Sequence, residues 1–177
     1  MMEVIVTLAI IAVMVAVMLP SLSSRLVNAN SAGLAQNLKT INDAVQKYRE
    51  NVGYYPSQLL FLTTKPTTSN TDACGSTLST TDVSSWQGPY LSLSVTTLGI
   101  RTGDALINNA LTRSPTNTSS STVMDGTLSI LTDEVTTAVA TDVEGALDAG
   151  SADFNAGTVR YSSTARQLTY VIPISGC

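Results

Sequence analysis

Histidine is absent from this chain of 177 residues, and cysteine, aromatic and charged residues are scarce. Without histidine the chain has no imidazole general base, no Ser-His-Asp triad and no histidine-bearing zinc site. The two cysteines, Cys74 and Cys177, are too far apart in sequence for a redox pair or a cluster motif. No pair among the thirteen acidic residues has surroundings that mark it as a catalytic carboxylate pair. We therefore interpret the chain as non-enzymatic.

Basic residues are also few, and the chain has a formal net charge of −4. From Lys65 onward, five basic residues stand against ten acidic ones. Surfaces that bind nucleic acid carry clustered lysine and arginine. The acidic composition of this part therefore does not indicate a nucleic-acid surface.

The first twenty residues, MMEVIVTLAIIAVMVAVMLP, are almost entirely apolar and end at Pro20. Between Val4 and Leu19 the only polar side chain is Thr7, and the run approaches the roughly 20 apolar residues that span a bilayer. The carboxylate of Glu3 would cost about 2–3 kcal/mol at full membrane depth, so we expect it to have a cationic partner. The segment contains no lysine or arginine. The nearest candidate cation is therefore the terminal amine of a neighbouring copy.

Two other interpretations of this segment remain open. A cleavable signal peptide would carry a basic start and small residues before its cleavage site, whereas this chain begins Met-Met-Glu. A plain signal anchor would hold one exported domain at the membrane. Arg25 follows the apolar run, so the distribution of positive charge does not indicate an orientation.

The residues after Pro20 predict an amphipathic continuation of the helix. Apolar residues recur at spacings of three and four and define one face: Leu34, Leu38, Ile41, Val45 and Tyr48. Asn51-Val52-Gly53, followed by Pro56, predicts the helix end. We therefore expect an apolar segment (residues 1–20) for the membrane or a filament core, an amphipathic half (residues 21–53), and a compact head (residues 54–177).

Glu3, the apolar helix and Pro20, seventeen residues after the glutamate, resemble the N-terminal region of type IV pilins, a family that includes the pseudopilins of type II secretion. The resemblance implies an α+β fold in which a long N-terminal hydrophobic helix packs on a small antiparallel β-sheet head. It also implies an N-methylated Met1 and pairing of Glu3 with the terminal amine of an adjacent subunit. In assembled filaments it implies a flexible break before Pro20, and we place this extended stretch at Ala12 to Leu19. The chain departs from the family in placing the glutamate third rather than fifth. The family's short basic leader is absent, so we expect a processed chain.

The sequence Trp86-Gln87-Gly88-Pro89-Tyr90-Leu91 resembles, more specifically, the major pseudopilin of type II secretion. In that subfamily a Trp-x-Gly-Pro-Tyr-Leu motif leads into the sheet. From the residues themselves, we expect Trp86 and Tyr90 to bury their rings against the helix. Gly88-Pro89 predicts a turn. These are packing roles.

The two cysteines predict one disulfide, because exported domains commonly oxidise paired cysteines. Many pilins close a C-terminal loop in this way. A bond between Cys74 and Cys177 would enclose about a hundred residues and stabilise the chain by on the order of 4 kcal/mol. Two free thiols are the alternative.

Four acidic residues form the candidate metal site of this sequence: Asp142, Glu144, Asp148 and Asp153. Their carboxylates could supply oxygen ligands to Ca²⁺, and major pseudopilins hold calcium in their C-terminal region. The spacing does not match an EF-hand loop. Solvated acids that cap a helix and a turn are the alternative.

Within the head, the sequence predicts strands at 91–100, 157–163 and 167–174, the last two as a hairpin. Helices are predicted at 103–111 and 130–147, the second with Thr132 as its N-cap and Glu134 in its first turn. Residues 67–85 predict a polar loop.

These features together predict a structural subunit that polymerises into an extracellular filament like a type IV pilus. The resemblance implies residence in the bacterial inner membrane before assembly. It further implies a prepilin peptidase, an inner-membrane platform and an assembly ATPase as partners. A type II secretion pseudopilin and a monomeric membrane-anchored binding domain are the alternatives.

Overall fold

The fold is α+β, with one long N-terminal helix and an antiparallel sheet. A computed structural model describes residues 2–115, 126–148, 154 and 157–174. The helices in these ranges are α1 (Met2–Val52), α2 (Thr80–Ser84) and α3 (Thr137–Leu147), with a 3₁₀ turn at Leu59–Leu62. The strands are β1 (Gly99–Thr102), β2 (Ala105–Pro115), β3 (Gly126–Asp133), β4 (Val159–Ser162) and β5 (Gln167–Ile174).

Helix α1 runs without interruption for 51 residues and passes through Pro20. Ala12 to Leu19 are helical in the single chain, and the extended stretch that we placed there concerns the assembled filament and stays a prediction. A proline inside a helix costs about 3 kcal/mol or more through a lost hydrogen bond and a steric clash, and the residues on both sides continue the helix across it. Among the described residues, no helix combines the length and the apolar character needed to cross a membrane.

The end of α1 is where the sequence predicts it. The helix closes at Val52, and Gly53 follows with a φ of 90°. This left-handed conformation suits glycine because glycine has no Cβ. The Gly53 N–H donates to the carbonyl of Arg49 at 2.7 Å, which satisfies one of the last helix carbonyls.

The five strands form one antiparallel sheet in the order β1-β2-β3-β5-β4. The predicted hairpin at 157–163 and 167–174 is confirmed as β4 and β5, which pair from Val159 with Tyr170 to Ser162 with Gln167. The predicted strand at 91–100 is mostly wrong, because β1 begins only at Gly99.

Two predicted helices in the head are corrected. Residues 103–111 belong mainly to β2, where Ala105 and Ile107 point into the core and pair with β1. The predicted helix at 130–147 is a strand up to Asp133, and its helical part begins at Thr137. Sheet pairing overrides helix propensity here.

The cap of the second helix is corrected as well. Thr132 is fully buried within β3, so it is not the N-cap. Thr136 takes that position, and its hydroxyl accepts a hydrogen bond from the backbone N–H of Val139 at 3.4 Å. The polar loop predicted at 67–85 contains the short helix α2, whose N-cap Ser79 forms a capping box with Asp82.

One face of the sheet packs against the amphipathic half of α1 to form the hydrophobic core. Helix α3 lies beside α1, and the Ser31 hydroxyl donates to the Asp142 carboxylate at 3.0 Å between them. The β2–β3 pairing contains an irregularity between Ile107 and Leu111. There the Leu111 N–H donates to the carbonyl of Ser57 at 2.9 Å, which attaches the segment after α1 to the sheet.

Candidate functional site

The candidate functional site is the N-terminal part of α1, where Glu3 to Ala16 are exposed on every side of the helix. Nine large apolar side chains in this stretch are between 49% and 67% exposed. Contiguous apolar surfaces of this kind are uncommon on soluble monomers and mark contact with protein or membrane. The exposure and apolar character of this stretch favour a role as a contact surface.

The polar groups of this stretch are arranged to suit an apolar environment. The hydroxyl of Thr7 donates to the backbone carbonyls of Glu3 at 3.0 Å and Val4 at 2.9 Å. The helix itself thus satisfies the Thr7 hydroxyl. Glu3 forms no ion pair with any residue that the structure describes, so a cation for its carboxylate has to come from elsewhere.

The amphipathic half of the same helix is buried as the sequence predicts. The five residues of the predicted apolar face, Leu34, Leu38, Ile41, Val45 and Tyr48, are between 0% and 1% exposed. The charged residues between them are exposed: Lys39, Asp43, Lys47 and Glu50. One continuous helix thus has an uncovered apolar part and a part that forms one wall of the core.

The turn between β1 and β2 fixes the head against α1. Gly103 has a φ of 59°, and a Cβ at this position would lie 2.8 Å from Oδ1 of Asn30 on α1. One position earlier, the Thr102 hydroxyl accepts a hydrogen bond from Nδ2 of Asn37 at 2.7 Å. This close approach requires glycine and locates the sheet along the helix axis.

A cavity of about 100 Å³ lies beside this turn, where α1, the start of β2 and the start of α3 meet. Its apolar lining consists of Val27, Leu34, Ala105, Val135 and Val139. The exposed residues Asp104 and Glu134 border it. Sequence reasoning missed this cavity, because its lining comes from three separate elements.

The segment that contains Trp86 and Tyr90 lies near the end of α1, and both rings are half-buried. The ring of Tyr90 makes edge contacts with Tyr48 and Trp86, each with ring centroids 5.7 Å apart. The indole Nε1 of Trp86 donates to the carbonyl of Phe61 at 2.9 Å. The Trp86 ring also covers Gly88, where any Cβ would overlap it. Gly88 is joined to Pro89 by a cis peptide bond.

Cys74 is disulfide-bonded, so it is not a free thiol. It lies in a tight loop in which the buried Asp72 carboxylate accepts hydrogen bonds from the backbone N–H groups of Cys74 at 2.9 Å and Ser76 at 2.8 Å. Cys177, the predicted partner, lies outside the described residues.

The four acidic residues of the predicted calcium site have different surroundings. Asp142 accepts a hydrogen bond from Ser31, and Glu144 is only 2% exposed, with a buried Oε1 that has no hydrogen-bond partner among the described residues. Asp153 lies outside the described residues. The described ranges hold no group of three or more acidic or cysteine side chains placed to bind a metal ion.

Asp148 attaches the end of α3 to the start of β4. Its carboxylate accepts hydrogen bonds from the side chain of Thr158 and from the backbone N–H groups of Thr158 at 3.1 Å and Val159 at 2.8 Å. Partial burial raises the pKa of this carboxyl, but the hydrogen bonds from Thr158 and Val159 outweigh burial and hold the pKa below its ordinary value. The alternative given above, acids that cap a helix and a turn, describes this residue.

Comparisons of the chain with protein-family models, with curated proteins and with solved structures found no match. A function is therefore inferred from the residues and the geometry of the described parts. The two features that carry it are the uncovered apolar stretch of α1 and the head built on the same helix.

Proposed function

We propose that this chain is a structural subunit that polymerises into a helical filament of the type IV pilus kind. The observation that carries the proposal is the division of α1 into two environments. Residues Glu3 to Ala16 are exposed on all sides and almost entirely apolar, whereas from Leu34 onward the apolar face of the same helix is buried against the head. The exposed apolar stretch from Glu3 to Ala16, which we call the rod, is thus joined to the folded head by one continuous helix.

Burial of the rod supplies the driving force for assembly. Each large apolar side chain that moves from water into a packed interior contributes about 1.5–3 kcal/mol. If the rod leaves a lipid environment, close packing between helices replaces lipid contacts, and the gain comes from van der Waals contact and satisfied polar groups. The bundled rods of many copies would form the filament core, with the heads outside.

Glu3 sets the stagger between neighbouring copies in this proposal. An unpaired carboxylate is costly in an apolar core, so assembly has to bring a cation to it. The nearest candidate cation is the terminal amine of an adjacent copy, which lies at the start of the equivalent helix in that copy. Pairing of the Glu3 carboxylate with this amine would favour one axial offset between neighbouring subunits over other offsets.

A second candidate within this class is a major pseudopilin of type II secretion. The ring contacts of Tyr90 with Tyr48 of α1 and with Trp86 favour it, because this motif carries the more specific resemblance. A monomeric membrane-anchored domain, which belongs to another class, would keep the rod and the head but would not need Glu3.

The decisive experiment is electron microscopy of filaments sheared from the producing cells, combined with mass spectrometry of their main protein. We expect long filaments that consist chiefly of this chain, and the same spectrum identifies the N-terminal residue and its methylation. Cells that lack filaments but hold the chain in the membrane fraction would favour the pseudopilin or the anchored domain.

Substitution of Glu3 separates assembly from anchoring. We expect Glu3→Gln and Glu3→Ala to lose or slow filament formation, while the head keeps its melting temperature. Glu50→Gln is the matched control, because Glu50 is an exposed glutamate on the same helix. Wild-type filament yield from the Glu3 variants would overturn the role given to this residue.

A further inference from the structure

We propose that Leu98 of one copy inserts into the cavity at the α1–α3 junction of the next copy, so that neighbouring heads interlock head to tail. This inference rests on the proposed function, because it names a contact between subunits that the apolar helices already hold together. The partner is a second copy of this chain.

Leu98 is the most exposed large apolar side chain of the described head. It is 72% exposed, whereas Tyr54, the other exposed large apolar residue there, is 43% exposed. The tight turn from Thr96 to Gly99 holds it in place: the Thr96 N–H donates to the Gly99 carbonyl at 3.0 Å, and the Gly99 N–H donates to the Thr96 hydroxyl at 3.2 Å. Leu98 is thus a fixed apolar knob.

The cavity matches a leucine side chain in size and chemistry. A cavity of about 150 Å³ with an apolar lining holds benzene, which has six carbon atoms. The cavity beside the β1–β2 turn has about 100 Å³, and its five valine, leucine and alanine side chains are joined by polar residues that include Asn30, Thr102 and Thr136. This volume suits the four carbon atoms of one leucine side chain.

The size of the contact indicates which molecule occupies the cavity. Burial of one leucine strengthens an association by about 10- to 100-fold. A stable interface between free proteins needs about 800 Å² from each partner, far more than one side chain provides. The occupant must therefore be held by a larger surface as well, and the exposed apolar stretch of α1 gives a second copy that surface.

The positions of knob and cavity make the contact directional. Leu98 precedes β1, and Thr102, which borders the cavity, ends that strand. Four residues of extended chain separate the two positions by about 13 Å. Because knob and cavity are different surfaces of one molecule, the contact is heterologous, and a heterologous contact that does not close generates an open helical array.

The charges around the two surfaces permit this contact. Asp104 and Glu134 border the cavity, and Glu134 pairs with Arg101 at 3.2 Å. The stretch from Leu91 to Ile100, which carries the knob, contains no charged residue. A neutral knob therefore approaches an acidic border without like-charge repulsion.

Cysteine cross-linking in full-length chains tests the contact. Thr97→Cys, at an exposed position beside the knob that keeps Leu98 in place, is combined in one chain with Asp104→Cys or with Thr136→Cys at the cavity border, and whole cells are treated with a short bis-maleimide. Cys74 is disulfide-bonded and does not react. We expect a ladder of dimers, trimers and longer products from the double variants and only monomers from each single variant. Cells that express the two single variants together should give dimers and nothing larger.

A second measurement compares Leu98→Ser with Tyr54→Ser, which removes another exposed apolar side chain of the head. We expect the Leu98 variant to weaken each subunit contact by about 10- to 100-fold and to lower filament yield, while the Tyr54 variant assembles normally.

Absence of the ladder, with unchanged filament yield for Leu98→Ser, overturns the contact and leaves the filament proposal standing. Dimers from Thr97→Cys alone would also overturn it, since they indicate a symmetric contact. Absence of both ladder and filaments in cells with folded protein overturns both proposals.

Discussion

Nδ2 of Asn51, in the last turn of α1, donates a hydrogen bond to Oη of Tyr90 at 3.1 Å. The same Tyr90 oxygen accepts a hydrogen bond from the backbone N–H of Gln87 at 2.8 Å. One hydroxyl thus joins the end of the helix to the segment that follows Trp86. The relationship gives the tyrosine of this motif a specific structural role.

Replacement of Tyr90 by Phe should lower the free energy of unfolding by about 1–3 kcal/mol. The ring contacts with Tyr48 and Trp86 remain, but two hydrogen bonds worth about 0.5–1.5 kcal/mol each lose their acceptor. Urea unfolding of the full chain measures the change. Tyr54→Phe, at an exposed tyrosine, is the control and should have little effect. Equal stability of the two variants would contradict the role of the Tyr90 hydroxyl.

The same substitution should have opposite effects at two glycines. A Cβ at Gly88 would lie 2.7 Å from Cε2 of Trp86, so Gly88→Ala should destabilise the fold by about 1–3 kcal/mol. Gly145 lies within α3 and has no atom within 4 Å of its ideal Cβ, so Gly145→Ala should stabilise by about 0.5–1 kcal/mol. Thermal unfolding measures both. A stabilising Gly88→Ala would show that Trp86 does not cover this position.

Leucine-to-alanine substitutions should separate the two parts of α1. Leu38 is fully buried, and Leu38→Ala should cost about 2–5 kcal/mol of head stability. Leu8 is 60% exposed, so Leu8→Ala should leave the melting temperature of the head unchanged and reduce filament yield. Circular dichroism measures the first property and electron microscopy the second. A loss of head stability in Leu8→Ala would contradict the separation.

The stability of the head should fall in acid through Asp148. Its folded pKa lies below the unfolded value, which is about 3.9 for an aspartate. A group with a lowered folded pKa contributes stability above its unfolded pKa and loses that contribution as the pH falls through the folded pKa. Unfolding free energies from pH 6 to pH 2 should therefore decline, and Asp148→Asn should flatten that decline. At neutral pH the substitution should cost about 1–3 kcal/mol. Parallel pH curves for wild type and variant would contradict this assignment.

Local signals identify the helix and its limits in the sequence. The spacing of Leu34, Leu38 and Ile41 follows the helical period, and all three are buried. The end of α1 at Gly53 is predictable because a glycine in the left-handed conformation ends a helix locally, without the help of distant residues. The β4–β5 hairpin is likewise predictable, since its strands are close in sequence and rich in β-favouring residues.

Elements that depend on distant residues are the ones that the sequence does not identify. Ala105 and Ile107 form a strand because β1 and β3 pair with this segment, although its local pattern also fits a helix. The cavity and the exposed knob at Leu98 have no local signature, because each is defined by which side chains the fold leaves uncovered. Glu144 is similar, since its sequence neighbours suggest a solvated acid and the fold buries it.

The continuity of α1 from Met2 to Val52 has a mechanical consequence. A tension applied to the exposed end of the helix reaches the core directly, because no linker lies between the two. The load passes to the sheet through the buried face from Leu34 to Tyr48 and through the Asn37–Thr102 hydrogen bond. When force is applied through α1, the head should therefore stay folded until the buried helix face and this hydrogen bond break together.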